Sequence, residues 1–164
     1  MIEETFTYYK SPLGLLKITG TEHYISEVSF TDDHAAKIAS ATIFPLLHQC
    51  IEELIEYFNG QRRAFSIPVY QKGTDFQCRV WSELLNINYG TTISYLNLAR
   101  RLGDVNCIRA AAAGNGKNKI AIIVPCHRVI GSNQSLVGYA WGLWRKKWLL
   151  ALENKVANGV QTLF

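Results

Sequence analysis

The spacing of apolar residues changes near residue 73, and this change limits the possible folds more than any other feature of the sequence. Before it, β-branched and aromatic residues fill short segments typical of strands, whereas after it apolar residues recur at helical spacing. A chain of 164 residues can form one compact domain or two small lobes. The polar, glycine-containing stretch at 71–73 marks the change. We therefore expect an N-terminal lobe over residues 1–72 and a second domain over residues 73–164.

The N-terminal half is predicted to form a small sheet covered by one helix. Residues 5–10, 15–19 and 25–30 have the composition of strands and are separated by Ser-Pro-Leu-Gly and Thr-Glu-His segments. From residue 44 to 58 an apolar face follows helical spacing before an Asn-Gly stop, and its members are Leu47, Cys50, Ile51, Leu54 and Phe58.

The C-terminal half is predicted to be mainly helical, which makes the fold class α+β. Thr74 and Asp75 can cap a first helix. The core face of that helix is predicted to contain Phe76, Val80, Trp81, Leu84 and Leu85.

The spacing next predicts short helices at 94–102 and 106–113, joined by a Gly-Asp-Val turn that is typical of a helix-turn-helix. A turn at 115–118 then leads into an apolar run at 120–124. The last helix, at 144–154, is predicted to present a basic face formed by Arg145, Lys146 and Lys147.

The charge of +4 is unevenly distributed along the chain. Residues 1–73 contain 6 Lys and Arg against 9 Asp and Glu, a net charge of −3, while residues 74–164 contain 11 against 4, a net charge of +7. A basic half favours a surface that binds a polyanion such as nucleic acid, because neutralisation of phosphates supplies most sequence-independent affinity. A merely solvated basic surface is the alternative.

Composition also narrows the functional classes. The cysteines are far apart and form no C-x-x-C pair, the histidines at 23, 34, 48 and 127 are scattered, and no phosphate-binding glycine loop is present. We expect reduced thiols, no cofactor and no metal, including no zinc. No signal segment and no apolar run of about 18 residues is found, so a soluble, cytoplasmic protein with no membrane contact is expected. The four cysteines are Cys50, Cys78, Cys107 and Cys126.

Cys126 has the most unusual surroundings of these cysteines. It follows a proline and an apolar run, precedes His127, and is followed by a loop with glycines at 131, 138 and 142. A thiol with a pKa of about 8.5 is only slightly ionised at neutral pH, and an adjacent histidine can increase the thiolate fraction by accepting the proton. On these residues alone, Cys126 is either an activated nucleophile or a buried, inert side chain.

Five separated segments in the second half point to one family. The string IVPCHRVIG at 123–131 resembles the active-site signature of the O6-alkylguanine-DNA alkyltransferases. That signature overlaps one of the five segments, which keep the order and spacing of that family: GTDFQCRVW at 73–81, YGTTISYLNLARRLG at 89–103, Arg109 among alanines, GKNKIAIIVPCHRV at 116–129 and GYAWGLWRKKWLLALE at 138–153. The first half, with SPLG at 11–14 and YFNG at 57–60, is similar more loosely, and the resemblance implies a ribonuclease-H-like αβ lobe there.

The resemblance implies a catalytic set. Cys126 would accept the alkyl group, His127 would act as the base through a water molecule, and Glu153 would orient and charge the histidine. Asn118 would hold the loop at the active site through its side-chain amide. Tyr95 would donate a proton or a hydrogen bond to the damaged nucleobase as guanine leaves. Without the resemblance, Glu153 is typical of a solvated helix carboxylate, Asn118 of a turn residue and Tyr95 of a packing aromatic.

The resemblance also implies how double-stranded DNA carrying O6-alkylguanine is bound. The second helix of the helix-turn-helix would enter the minor groove, and an arginine would replace the flipped base in the stack. The alanines after Arg109 would allow close approach to the DNA. Without the resemblance, these residues are typical of a stable alanine-rich helix with one solvated arginine. The resemblance implies that the protein is a monomer and that each molecule acts once. It also implies activity on O4-alkylthymine. The expected DNA- or substrate-binding residues are Arg109, Ala110, Ser94, Arg128, Tyr139, Ala140 and Trp141.

Three positions depart from the family pattern. Trp141 takes a place often held by glycine in the pocket loop, Lys119 replaces a common proline, and Ile108 is larger than the residue usually found facing the groove. We expect Trp141 to narrow the pocket and to disfavour bulky adducts such as benzyl. Ile108 could loosen the contact with DNA.

Three other functions are compatible with parts of the sequence. Alkyltransferase-like proteins bind the same lesions without repair, but they lack the nucleophilic cysteine, which is present here. A thiol hydrolase could use a Cys, His and Glu set, but its local signatures are missing and the helix-turn-helix would have no role. A DNA-binding regulator would not need the Pro-Cys-His-Arg segment.

Overall fold

The computed structural model describes residues 3–32 and 38–159, which fall into two units. One unit comprises Met1–Gln71 and Lys119–Ala121, and the other comprises Lys72–Asn118 and Ile122–Phe164. The short segment Lys119–Ala121, which the sequence placed in the second domain, therefore belongs with the first unit. His34, one of the scattered histidines, lies outside the described residues.

The first unit contains an antiparallel sheet in the order β1-β2-β3, with strands Thr5–Ser11, Gly14–Gly20 and Ile25–Thr31, and one helix, α1 (Pro45–Phe58). The expected sheet and helix are confirmed, the strands being one or two residues longer than predicted. Lys119–Ala121 extends the sheet beside β3, where the Val28 N–H donates to the Lys119 carbonyl at 3.0 Å and the Ala121 N–H donates to the Val28 carbonyl at 2.8 Å.

The buried face of α1 differs in part from the prediction. Leu47, Cys50, Leu54 and Phe58 are buried as expected, but Ile51 is only half-buried, and Tyr57 and Glu53 take the inward positions instead. Glu53 is tolerated there because its carboxylate accepts a hydrogen bond from the Ser66 N–H at 2.8 Å and another from the Ser66 hydroxyl at 2.5 Å.

The second unit begins with helix α2 (Asp75–Leu84), and Thr74 caps it as predicted. The Thr74 hydroxyl accepts from the Gln77 N–H at 3.1 Å while the Gln77 side chain accepts from the Thr74 N–H at 3.0 Å, which satisfies two free amides of the first turn. Val80, Trp81 and Leu84 are buried. Leu85 was wrongly placed in the core: the helix ends before it, and the side chain is 51% exposed.

The helix-turn-helix consists of α3 (Tyr95–Arg101), a 3₁₀ turn (Val105–Cys107) and α4 (Ile108–Gly116). The second helix begins two residues later than predicted and ends three residues later. The prediction of a turn at 115–118 was therefore wrong at its start, since Asn115 and Gly116 complete α4. Asn115 is buried, and its side-chain amide donates to the Cys126 carbonyl at 3.3 Å, a contact that a local turn pattern does not reveal.

Two short strands and a long helix complete this unit. Strand β4 (Ile93–Ser94) pairs in parallel with β5 (Val129–Ile130), and α5 spans Leu143–Asn158. The predicted basic face of this helix was wrong, because Arg145 is 5% exposed and Lys146 is 0% exposed, and only Lys147 of the three faces solvent. Within residues 3–32 and 38–159, no helix combines the length and the apolar character needed to cross a membrane.

Candidate active site

Cys126 lies at the start of a 3₁₀ turn (Cys126–Arg128) that follows the buried apolar run. Its side chain is reduced and 3% exposed. Ile122, just upstream, has φ 72°, a conformation that β-branched residues rarely adopt. The Cys126 N–H then donates to the Val124 carbonyl at 2.8 Å, which closes a tight backbone turn around the thiol.

Two polar side chains adjust the ionisation of this thiol. Burial raises the pKa of Cys126 to about 11, while a hydrogen bond from the Asn118 side chain and the positive charge of Lys146 lower it. The Asn118 amide also donates to the Val124 carbonyl at 2.9 Å and so holds the loop next to the thiol. The thiol therefore rests protonated, in a site that contains groups able to stabilise its anion.

A buried ionic network lies directly after the cysteine. His127 Nε2 is 2.7 Å from Glu153 Oε2, while the Arg128 guanidinium donates from Nε to Glu153 Oε1 at 2.8 Å and from Nη2 to Oε2 at 3.0 Å. Burial alone would raise the pKa of Glu153, but the charges and hydrogen bonds of His127 and Arg128 hold it well below its ordinary value. Glu153 is thus an ionised carboxylate that accepts from His127, from two nitrogens of Arg128 and, at 3.5 Å, from the Gly90 N–H. Arg128 Nη1 also donates to the Ile87 carbonyl at 2.7 Å.

The network determines which nitrogen of His127 can accept a proton. Burial lowers the pKa of His127 below its ordinary value, although Glu153 opposes this shift, so the resting imidazole is neutral. Its Nε2–H donates to the carboxylate. Nδ1 has no hydrogen-bond partner within the described residues, and this leaves it as the basic nitrogen.

Lys146 is a fully buried cation in the same site. Its ammonium donates to the carbonyls of Val129 at 2.7 Å, Gly138 at 3.0 Å and Val137 at 3.3 Å. Burial lowers the pKa of Lys146 to about 8, and the cysteine opposes this shift. The lysine therefore connects the loop at 131–142 to β5 and places a positive charge near the thiol.

The loop at 131–142 carries aromatic side chains that bound one side of the site. The Tyr95 hydroxyl donates to the Val137 carbonyl at 3.2 Å. Tyr139 and Trp141 pack edge to face with ring centroids 5.3 Å apart, and Arg145 Nη1 donates to the Trp141 carbonyl at 3.0 Å. The Tyr139 hydroxyl is buried with no partner among the described residues.

Comparison with known proteins identifies the family. Residues 75–155 match the family model described as the 6-O-methylguanine DNA methyltransferase, DNA binding domain, and residues 5–71 match the model described as the ribonuclease-like domain of 6-O-methylguanine DNA methyltransferase. The chain belongs to the 6-O-methylguanine DNA methyltransferase family.

Individual members of this methyltransferase family match along nearly the whole chain. A methylated-DNA–protein-cysteine methyltransferase of Mycolicibacterium paratuberculosis is 40% identical over 156 residues, which is 94% of each chain. The constitutive methylated-DNA–protein-cysteine methyltransferase of Bacillus subtilis is 38% identical over 141 residues, 82% of this chain and 86% of that protein. The crystal structure of Mycobacterium tuberculosis OGT in complex with DNA superimposes with a TM-score of 0.83 at 36% identity, covering 93% and 94% of the two chains.

The residues that the methyltransferase resemblance assigned to DNA do not all lie at the surface. Arg109 and Ala110 are exposed on α4, Ala140 is exposed in the loop, and Ser94 caps α3 by accepting from the Asn97 N–H at 3.0 Å. Arg128 is 6% exposed and is engaged with Glu153 and a carbonyl. The structure therefore places Arg128 in the ionic network, and the DNA-binding role expected for it stays a prediction.

Sequence reasoning missed two members of the site and gave a third another role. Lys146 was interpreted as part of a basic helix face and Asn115 as part of a turn, while Arg128 was expected to bind DNA or substrate. A basic residue beside the apolar core face of α5 was a weak signal for Lys146, but the three carbonyls that satisfy it could not be predicted from spacing. No cluster of three metal-ligating side chains is present in the part of the chain that the structure describes.

Proposed function

We propose that this protein repairs O6-alkylguanine in double-stranded DNA by transferring the alkyl group to its own Cys126. The observation that carries the proposal is the buried Cys126 thiol followed directly by buried His127, whose Nε2 lies 2.7 Å from Glu153 Oε2. The 36% identity to a chain solved with DNA supports the choice of partner. Residues 73–164 would supply DNA binding and alkyl acceptance, and residues 1–72 would form the N-terminal lobe.

The chemistry begins with removal of the thiol proton. His127 Nδ1 accepts this proton through a water molecule, and Glu153 stabilises the resulting imidazolium. Asn118 and Lys146 stabilise the thiolate. The sulfur attacks the alkyl carbon, so an S–C bond forms as the bond from carbon to guanine O6 breaks. Tyr95 gives its proton to the departing base, and guanine is restored.

The product of this reaction is a thioether on Cys126, which explains why we propose a single turnover. No described side chain near Cys126 can displace an alkyl group from sulfur, and the family resemblance supplies no cofactor for that step. Each molecule acting as a monomer would therefore repair one lesion. O4-alkylthymine, whose alkyl group is also attached to an exocyclic oxygen, is a second substrate under this proposal.

The alkyl carbon becomes accessible only if the damaged nucleotide leaves the base stack. We place α4 in the minor groove, because it exposes Arg109, Ala110 and Ala113 and has no bulky side chain among residues 110–114. Arg109 would occupy the space of the flipped base. Tyr139, Ala140 and Trp141 would then line the pocket that receives it.

Replacing Arg109 by alanine is expected to slow transfer from a methylated duplex by about 10- to 100-fold, since the unstacked duplex loses its substitute for the missing base. Transfer from free O6-benzylguanine should stay within about twofold of the wild-type rate, because a free base needs no flipping. Single-turnover rates with the two substrates measure the difference. Lys155→Ala removes one exposed charge from α5 and should change neither rate, whereas equal losses with both substrates for Arg109→Ala would contradict the role.

Replacing Trp141 by glycine is expected to accelerate the reaction with free O6-benzylguanine by about tenfold, because its indole packs against Tyr139 and narrows the pocket. Transfer of a methyl group from duplex DNA should change by less than about threefold, since a methyl adduct needs little room. Inactivation rates of the two proteins by the free base provide the measurement. Equal rates of inactivation by O6-benzylguanine for wild type and Trp141→Gly would rule out Trp141 as the residue that limits adduct size.

The proposed function is tested by stoichiometry. Excess duplex carrying O6-methylguanine is mixed with the protein, and restored guanine is counted after the reaction stops. One guanine per protein molecule, and none with Cys126→Ser, is the expected result. Continued turnover, or tight binding of the lesion without any restored guanine, would contradict alkyl transfer and favour a hydrolase or a damage-binding protein, respectively.

A further inference from the structure

Arg145 is a buried cation that the proposed chemistry does not use. It lies in the first turn of α5 and is 5% exposed. The amino end of a helix carries a partial positive charge, so a cation in the first turn destabilises the helix. Burial of the guanidinium adds a desolvation cost that its contacts must offset. Helix stability therefore does not explain an arginine at this position, and its contacts must be considered.

The guanidinium of Arg145 is held between an indole ring and a backbone carbonyl. Its Nη1 donates to the Trp141 carbonyl at 3.0 Å. The ring of Trp144 covers it, with the ring centroid 4.5 Å from the guanidinium carbon. Trp144 is itself 57% exposed, so this indole separates the guanidinium from solvent. A hydrogen bond from a charged donor that is shielded from water is stronger than one at the surface.

The carbonyl that accepts this hydrogen bond belongs to a turn formed by residues 139–142. The Gly142 N–H donates to the Tyr139 carbonyl at 3.0 Å and closes the turn. Gly138, just before the turn, has φ 67°, and Gly142, at its end, has φ 98°. Because glycine tolerates many backbone conformations, such a turn can shift as a unit unless a contact from outside fixes it. The hydrogen bond from Arg145 is a contact of this kind.

The turn carries the side chains of Tyr139 and Trp141, which together form the pocket wall of the proposed site. Their rings pack edge to face with centroids 5.3 Å apart. The Tyr139 hydroxyl is buried but has no hydrogen-bond partner among the described residues, so no polar contact of its own fixes this ring. The positions of both rings therefore depend on the backbone of the turn, which Arg145 holds through the Trp141 carbonyl.

We propose that Arg145 is a positioning residue that limits the size of the alkyl group accepted by Cys126, because it fixes the backbone of the pocket wall. This inference rests on the proposed function and deepens it, since it concerns which adducts the same site accepts. With the guanidinium bonded to the Trp141 carbonyl, the wall cannot move away from a bulky adduct. Methyl transfer is then favoured over benzyl transfer. Arg145 acts through Trp141 and does not touch the substrate.

The test measures the ratio of the rate of inactivation by free O6-benzylguanine to the single-turnover rate of methyl transfer from duplex DNA. Arg145→Met, which has a long side chain but no donor, should raise this benzyl-to-methyl ratio about fivefold, because the wall can then move. Arg145→Lys keeps a charged donor on a shorter side chain and should raise the ratio less. Lys147→Met, at an exposed residue of the same helix, is the matched control and should leave the ratio unchanged. An unchanged ratio in folded Arg145→Met would overturn the proposal, even if its melting temperature were lower.

A double-mutant comparison identifies the route of the effect. In a Trp141→Gly background the indole of the wall is absent, so adding Arg145→Met should change the benzyl-to-methyl ratio by less than about twofold. A full fivefold increase in that background would mean that Arg145 acts on the ratio by another route, and it would overturn the proposal.

Trp144→Leu provides the test if Arg145→Met does not fold. This substitution at an exposed position removes the ring that covers the guanidinium. It should weaken the hold on the Trp141 carbonyl and raise the benzyl-to-methyl ratio about threefold. A ratio equal to that of wild type would overturn the proposal. If wild type transfers the methyl group while one of the contrary results is found, the inference fails alone. If wild type transfers neither alkyl group, the proposed function itself fails.

Discussion

Glu153→Gln should lower the free energy of unfolding at pH 7 by about 3 kcal/mol and slow alkyl transfer by about 100-fold or more. Glu153 is 1% exposed and neutralises the buried guanidinium of Arg128 through two hydrogen bonds. Glutamine keeps the shape but leaves that charge unpaired. It also no longer supplies the anion that selects the His127 tautomer and stabilises its protonated form.

Denaturant unfolding and single-turnover kinetics measure the two effects of Glu153→Gln. Because the pKa of Glu153 in the fold is far below its ordinary value of 4.5, its stabilising contribution is complete above that ordinary pKa and is lost as the pH falls toward the folded value. The difference in the free energy of unfolding between wild type and Glu153→Gln should therefore be constant above about pH 5 and shrink at lower pH. Glu83→Gln, which breaks a partly exposed pair with Arg101 at 3.7 Å, should cost less than about 1 kcal/mol. A similar small cost for Glu153→Gln would contradict the ionic network.

Lys146→Met should slow alkyl transfer by about 10- to 100-fold. The variant removes the positive charge that lowers the pKa of Cys126, and it removes the donor shared by the carbonyls of Val129, Val137 and Gly138. The pKa of Cys126 should rise further, so less thiolate forms when His127 accepts the proton. The rate of alkylation of Cys126 by iodoacetamide as a function of pH reports this change directly.

The pH dependence separates the charge of Lys146 from its packing. Lys146 has a pKa of about 8, so its positive charge is present below that pH and is lost above it. The ratio of the wild-type rate to the Lys146→Met rate of Cys126 alkylation by iodoacetamide should thus be largest near neutrality. It should decrease as the pH rises through about 8. Lys147→Met, at the exposed neighbour, should follow the wild-type curve. A ratio that does not depend on pH would mean that Lys146 acts by packing alone.

The strands and helices could be predicted because their signals are local. Thr74 and Gln77 form a capping box, Asn59 ends α1, and the apolar spacing of α1 and α2 matches most of the face that each helix buries. The errors occur where tertiary contacts oppose local preference. Asn115 continues α4 past a typical turn sequence because its amide bonds to Cys126, and Leu85 follows the apolar pattern of α2 but lies beyond its end.

The site could be predicted only in part from the sequence, for a physical reason. Cys126 and His127 are adjacent, so their pairing could be suspected, but Glu153 lies 26 residues after His127, and only the family resemblance placed it there. Burial of Arg128, Arg145 and Lys146 was not predicted, because charged residues are normally solvated and their compensating partners come from distant loops. The catalytic roles remain predictions, and the structure adds the distances on which they depend.

Mass spectrometry of the reacted protein shows whether Cys126 accepts the alkyl group. The protein is mixed with a duplex carrying one O6-methylguanine, digested, and each cysteine-containing peptide is weighed. We predict one added methyl group, located on Cys126, with Cys50, Cys78 and Cys107 unmodified and with no methylation of the Cys126→Ala variant. An unmodified Cys126 in protein that demonstrably binds the lesion would contradict alkyl transfer and make this chain a damage-recognition protein.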